Sequence, residues 1–229
     1  MPFFFYDPTF LLLIPALILA IYAQAKVKGT YAQYARIRCR RGVPSDEVAR
    51  LLLSSEGLGD VKVTTTPGEL TDHYDPRNKT LRLSQGVYGS SSLAALGIAS
   101  HEVGHAIQHG RLYTPLYIRN AIFPVANLGS TLAFPLFFIG LFLGGSRFLM
   151  DLGIILYTAA VGFSVITLPV EFNASRRALK LLRDGAYLGE EELVGARKVL
   201  QAAALTYVAA TCMAILQLVR MLILRGRED

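Results

Sequence analysis

Long uncharged stretches set the first expectation for this chain. Pro8 to Ala25, Asn120 to Ser146, Leu152 to Val170 and Val199 to Val219 contain no Asp, Glu, Lys or Arg, and each approaches or exceeds the ~18 to 20 apolar residues a helix needs to cross the hydrocarbon core. They predict membrane-spanning helices. The last carries Gln201, Thr206, Tyr207, Thr211 and Gln217, a polarity that suits packing on protein, so the count of full spans is three or four. The first stretch lacks a basic n-region and reads as a retained anchor.

Between the first two spans the pattern changes to that of a small soluble lobe, roughly ninety residues long and large enough for a core when braced by helices. Ser45 reads as an N-cap, with Asp46 and Glu47 in the first turn, for a helix carrying Val48, Leu51, Leu52 and Leu53 and stopping near Gly57. "DVKVTTT" has strand character and is broken by Pro67-Gly68. A turn at Asp75-Pro76-Arg77-Asn78 then leads into the alternating segment Thr80 to Ser84, a strand with one apolar face. A helix from about Ser92 to Gln108 follows.

Composition agrees with the membrane reading. Apolar residues make up 52% of the 229 and charged ones 17%, with a mean hydropathy of +0.40, which is too apolar for a soluble domain of this size. Charge gives an orientation. Lys26, Lys28, Arg36, Arg38, Arg40 and Arg41 follow the first stretch, and Arg176, Arg177, Lys180 and Arg183 follow the third; the positive-inside rule assigns both flanks to the cytoplasm. These flanks account for the net charge of +6, and no aromatic-studded basic groove suggests nucleic acid. Cys39 and Cys212 are not expected to pair in a reducing compartment.

The chemistry is concentrated in "IASHEVGHAIQHG", residues 98–110, which holds three of the four histidines. His101 and His105 are four apart, so on a helix they stack on one face about 6 Å apart along the axis and can reach one metal at ~2.0 to 2.1 Å. Glu102, beside the first ligand, can take a proton from an activated water without itself binding metal, the arrangement of H-E-x-x-H zinc hydrolases. Gly97, Ala99, Ser100, Gly104 and Ala106 let other elements approach closely. His109 lies eight residues beyond His101, a rise of about 12 Å, and cannot share its metal. It reads as a helix C-terminal residue favoured by the dipole, with Gly110 as the stop. A metzincin would need Gly at 108 and His at 111, where this chain has Gln108 and Arg111. His73 is either a surface histidine or a substrate contact.

A catalytic zinc requires a third protein ligand and an open position. The carboxylate candidates are Asp151 and Glu171. Two spans return the chain to the side of the zinc helix, which places Glu171 there and Asp151 across the bilayer. A carboxylate ending an apolar run is costly without a partner, and a metal is one.

The segments "YDPRNKTLRLSQGVY", "HEVGHAIQ", "PVEFNASRRAL" and "AAALTYVAA", separated by hydrophobic spans, resemble the membrane-bound neutral zinc metallopeptidases of the YugP type over nearly the whole chain. More distantly they are similar to HtpX-like and prenyl-protein proteases. The resemblance implies His101, His105 and Glu171 as ligands to one Zn2+ per chain and Glu102 as general base. In the wider group the ligand glutamate is typically followed four residues later by Asp; here that position is Ser175, so the carboxylate that would orient the ligands is either missing or replaced, with Asn173 and Ser175 as the candidates. It also places Leu81, Arg82 and Leu83 where such enzymes offer a strand edge to an extended peptide, with a merely structural strand as the alternative.

The expected fold is therefore α+β, a mostly helical integral membrane protein of three or four transmembrane helices with a small cytoplasmic zincin-like lobe. Its expected divisions are an anchor at 1–25, the lobe at 26–118, a transmembrane hairpin at 119–170, and at 171–229 the helix of the third ligand with a C-terminal apolar helix. The expected function is that of a gluzincin-like zinc metalloendopeptidase in the cell membrane, its site on the cytoplasmic side and its partners the lipid bilayer and a peptide or membrane-protein substrate. Two rivals are a catalytically silent zinc-binding scaffold or regulator and a site-2-type intramembrane protease. Against the latter, the flanks "YGSSSLAALGIAS" and "HAIQHGR" are too polar for a span.

Overall fold

The computed structural model describes residues 8–142 and 146–226. A short 3-10 segment, Pro8–Leu13, leads into α1 (Ile14–Tyr34), followed by α2 (Ser45–Ser55), β1 (Lys62–Thr66), β2 (His73–Asp75), β3 (Thr80–Ser84), α3 (Leu93–Gly110), α4 (Thr114–Phe142), α5 (Arg147–Asp184) and α6 (Glu190–Gly226). The protein is α+β and mostly helical. Among the described residues, four helical stretches are long and apolar enough to cross a membrane: Pro8–Tyr34, Thr114–Phe142, Arg147–Asp184 and Glu190–Gly226.

The chain divides into two compact units. One comprises Met1–Gln24, Ile118–Leu168 and Thr206–Asp229; the other comprises Ala25–Tyr117 and Pro169–Leu205. In the first, α4 and α5 approach closely at glycine: a Cβ on Gly153 would stand 2.7 Å from the Ala133 carbonyl oxygen, the small-residue contact by which membrane helices pack. Ala133, Phe137, Met150 and Met221 are buried around it. Asp151 belongs to this unit, where Arg225 Nε donates to its Oδ1 at 3.0 Å.

The second unit carries the sheet and the α3 motif. Its core joins Val48, Leu52 and Leu53 of α2, Leu81 and Leu83 of β3, and Leu96, Ala99, Val103 and Ile107 of α3. The cap of α2 differs from expectation. Pro44 occupies the N-cap position, and Ser45, one residue on, donates its hydroxyl to the buried Val87 carbonyl at 2.6 Å, which removes it from capping. The C-terminus ends as predicted at Gly57, whose φ is +75°; Leu58 N–H donates to Leu53 O and Gly57 N–H to Ser54 O, the Schellman pattern.

β3 is the central strand of the three, in the order β1-β3-β2. It pairs parallel with β1 from Thr80 to Ser84 and antiparallel with β2 from Thr80 to Arg82. Leu81 and Leu83 are fully buried and Arg82 lies between them, opposite His73. The expectation that Leu81, Arg82 and Leu83 present a free edge is thus overturned at Leu81 and Arg82, because both edges of Thr80 to Arg82 are already hydrogen-bonded within the sheet, while Leu83 pairs with β1 alone. The turn at Asp75 that sets this pairing forms as the sequence indicates: Arg77 N–H donates to Asp75 Oδ1 at 2.9 Å and Asn78 Nδ2 to Oδ2 at 2.8 Å.

Candidate metal centre

α3 begins where the sequence places it. Ser92 caps it, its hydroxyl accepting from Ala95 N–H at 3.1 Å. Its end differs: Gly110 is still helical, and the left-handed position is Leu112, with φ of +52°. Tyr113 N–H reaches Gln108 O and Leu112 N–H reaches His109 O, a Schellman closure built on leucine where glycine is usual. Gly110 serves close packing, since a Cβ there would stand 2.9 Å from Leu58 Cδ2.

The approach of α5 to α3 rests on Gly104. A Cβ at that position would lie 2.7 Å from the Ala174 carbonyl oxygen and 3.1 Å from its Cα, so only glycine lets the two backbones come this near. Ala174 and Glu171 are three apart on α5, and the close approach brings Glu171 to the two histidines. His101 Nε2 is 3.2 Å and His105 Nε2 is 3.5 Å from Glu171 Oε2, and the two Nε2 atoms are 3.1 Å apart. The imidazole rings stand edge to face. Glu171 is buried and the histidines partly so.

Hydrogen bonds behind the imidazoles decide which nitrogens face inward as acceptors. The Val170 carbonyl can only accept, so the Gln108 atom 2.8 Å from it is the amide nitrogen. The other Gln108 atom, Oε1, lies 3.0 Å from His105 Nδ1 and can only accept, so Nδ1 carries a proton, and the neutral form of the ring would turn a lone pair on Nε2 toward His101 and Glu171. Ser175 Oγ is 3.1 Å from His101 Nδ1 and can accept a hydrogen bond from that ring's Nδ1–H in the same way. Nε2 of both imidazoles and a carboxylate oxygen converge within 4.8 Å. Three acceptors facing one another are satisfied by a cation, and two His with one Glu is a donor set of catalytic zinc sites.

Glu102 is buried beside these groups, 7% exposed. Burial pushes its carboxyl above the usual range, while His105 and His101 pull it the other way. The remaining sequence candidates lie as follows. Ser175 hydrogen-bonds His101, whereas Asn173 accepts from Gln108 Nε2 at 3.0 Å and from Arg177 Nε at 2.8 Å. Asp151 pairs with Arg225. His109 Nδ1 and the Tyr74 hydroxyl share a hydrogen bond of 3.0 Å and the His109 ring stacks on Tyr117, and exposed His73 bonds the Thr71 carbonyl through Nδ1. Gln108 is the residue the sequence reading missed. Its signal was the spacing of three from His105, which places both on one helix face.

The chain matches, over residues 9–226, the family described as "Putative neutral zinc metallopeptidase". It is 48% identical over 220 residues, 95% of this chain and 97% of the relative, to "Putative membrane protease YugP" of Bacillus subtilis (strain 168). No solved structure matches it. A match that runs from the first apolar helix through the paired histidines and Glu171 to the end of α6 makes this chain a member of that neutral zinc metallopeptidase family.

Proposed function

We propose that the protein is a membrane-bound zinc endopeptidase in which His101, His105 and Glu171 hold one zinc and Glu102 is the general base. The observation that carries this reading is the convergence of His101 Nε2, His105 Nε2 and Glu171 Oε2 from two helices. When bound there, zinc supplies Lewis acidity toward the scissile carbonyl and lowers the pKa of water toward ~7. Glu102 accepts a proton from the attacking water and delivers it to the leaving amine, a role suited to a buried carboxyl whose affinity for protons is raised. Ser175 and Gln108 hold the two imidazoles in the tautomer that presents Nε2.

With β3 enclosed, an extended substrate peptide pairs instead with the outer edge of β2, the edge strand that packs against α3. The basic flanks around 26–41 and 176–183 support a cytoplasmic location for the site. α3 is not among the helices apolar enough to span, so the reading favours a site outside the hydrocarbon core over a site-2-type arrangement.

The test is Glu102→Gln in the purified, detergent-solubilised protein, assayed for zinc content and for cleavage of an unstructured protein substrate. Retained zinc with hydrolysis lost by at least ~10²-fold supports the assignment. Near wild-type turnover refutes it, and a wild type that carries zinc but cleaves nothing favours the silent scaffold.

A further inference from the structure

Gln108 is a fully buried primary amide three residues beyond His105 on α3. Burying an amide is unfavourable unless its donors and acceptors are matched, and here the match is specific. Gln108 Oε1 accepts from His105 Nδ1 at 3.0 Å, while Nε2 donates to Val170 O at 2.8 Å and to Asn173 Oδ1 at 3.0 Å. The polarity of the network is fixed at both ends by groups that have no choice. The Val170 carbonyl can only accept, and Arg177 Nε–H, which donates to the same Asn173 Oδ1 at 2.8 Å, can only donate. Each amide therefore has one orientation, and the proton on His105 is assigned with them.

Position gives this network its consequence. Val170 and Asn173 flank Glu171 on α5, so one side chain holds both the imidazole of the second histidine and the backbone segment that carries the third candidate ligand. A hydrophobic residue of similar volume would fill the space but leave His105 Nδ1–H without its acceptor and remove the second hydrogen bond of the Val170 carbonyl.

We infer that Gln108 is a positioning residue of the metal centre, locking His105 with Nε2 toward the ion and setting the distance of Glu171 from the histidine pair. The inference rests on the zinc reading above and extends it to a residue outside the H-E-x-x-H motif. Its loss acts first on metal affinity and coordination geometry, ahead of any effect on folding.

The test measures zinc dissociation constants by competition with a chromogenic chelator, and visible spectra after cobalt substitution, for the full-length wild type, Gln108→Met and Gln108→Glu. Methionine keeps the volume and removes every hydrogen bond; glutamate keeps an acceptor for His105. Gln108→Met should weaken zinc binding about ten- to hundredfold and alter the cobalt ligand-field bands, while Gln108→Glu, which keeps the acceptor for His105 but loses the donors to Val170 and Asn173, recovers about three- to tenfold of that loss. A Gln108→Met affinity within about threefold of wild type, or equal losses in both variants, overturns the inference. So does an unchanged cobalt spectrum accompanied only by a lower melting temperature of the metal-free protein, the signature of a packing role. A wild type that binds no zinc would instead defeat the zinc reading itself.

Discussion

Gly104→Ala is the sharpest perturbation of how the site is assembled, because it adds one methyl group outside the ligand set. The new Cβ would stand 2.7 Å from the Ala174 oxygen, and to reach the 3.4 Å at which ordinary contact begins, the α5 backbone must retreat by about 0.7 Å. Backbone cannot rotate aside as a side-chain tip can. Glu171, less than one turn away on the same helix, moves with it, widening the 3.2 and 3.5 Å separations from the histidines. Metal sites hold ligand distances within about 0.2 Å, so the shift exceeds what the centre absorbs, and zinc affinity should fall about ten- to hundredfold. Stability should change much less. Overpacking costs about 1–3 kcal/mol, against which alanine recovers up to about 1 kcal/mol of helix propensity. Gly97→Ala is the control on the same helix, since its Cβ would meet nothing closer than Ala196 Cβ at 3.4 Å. Chelator competition on both proteins is the assay. Wild-type zinc affinity in Gly104→Ala, or equal losses in the two, would show that close approach of the helices does not set the site.

Other outcomes follow from the same geometry. Glu171→Ala should sharply lower zinc content measured by atomic emission, whereas Asp151→Ala, which breaks a pair with Arg225, and His109→Ala, which frees Tyr74, should leave it near normal; zinc lost with Asp151 and kept without Glu171 would reverse the ligand assignment. Asp72 supplies a pH test. Burial raises its carboxyl above the ordinary value despite the two donors of Ser84, so its proton is held more tightly in the folded state. This contribution to stability is present below the unfolded value and lost as pH rises through the higher folded one. Melting temperatures of the wild type and Asp72→Asn across that window should therefore diverge, the wild type losing more stability as pH rises; parallel curves would contradict the burial argument.

What could be read from the sequence is what local pattern governs. The uncharged stretches identify the four long helices, the Ser92 cap and the i, i+4 histidines locate α3, and Asp75 with Asn78 marks the turn into β3. Glu171 was accessible by a different route, as a carboxylate ending an apolar run on the side to which two spans return the chain. The misreadings arise where a distant partner decides. β3 lies in the middle of the sheet because β2, only three residues long, pairs on its other side, and no periodicity shows in so short a strand. Ser45 fails as a cap because Val87, far along the chain, takes its hydroxyl. Gln108 looks like one more polar residue of a helix until α5 brings Val170 and Asn173 to it, across more than sixty residues of sequence. Gly110 reads as a stop signal, yet it is still helical and packs against the tip of Leu58.

X-ray absorption at the zinc edge, on the purified full-length protein, tests the central claim most directly. The account predicts one zinc per chain with two imidazole nitrogens at ~2.0–2.1 Å, carboxylate oxygen at ~2.0–2.2 Å and no sulfur, and loss of the protein oxygen contribution in Glu171→Ala. A sulfur shell near ~2.3 Å, a single imidazole, or a spectrum unchanged by Glu171→Ala would contradict it.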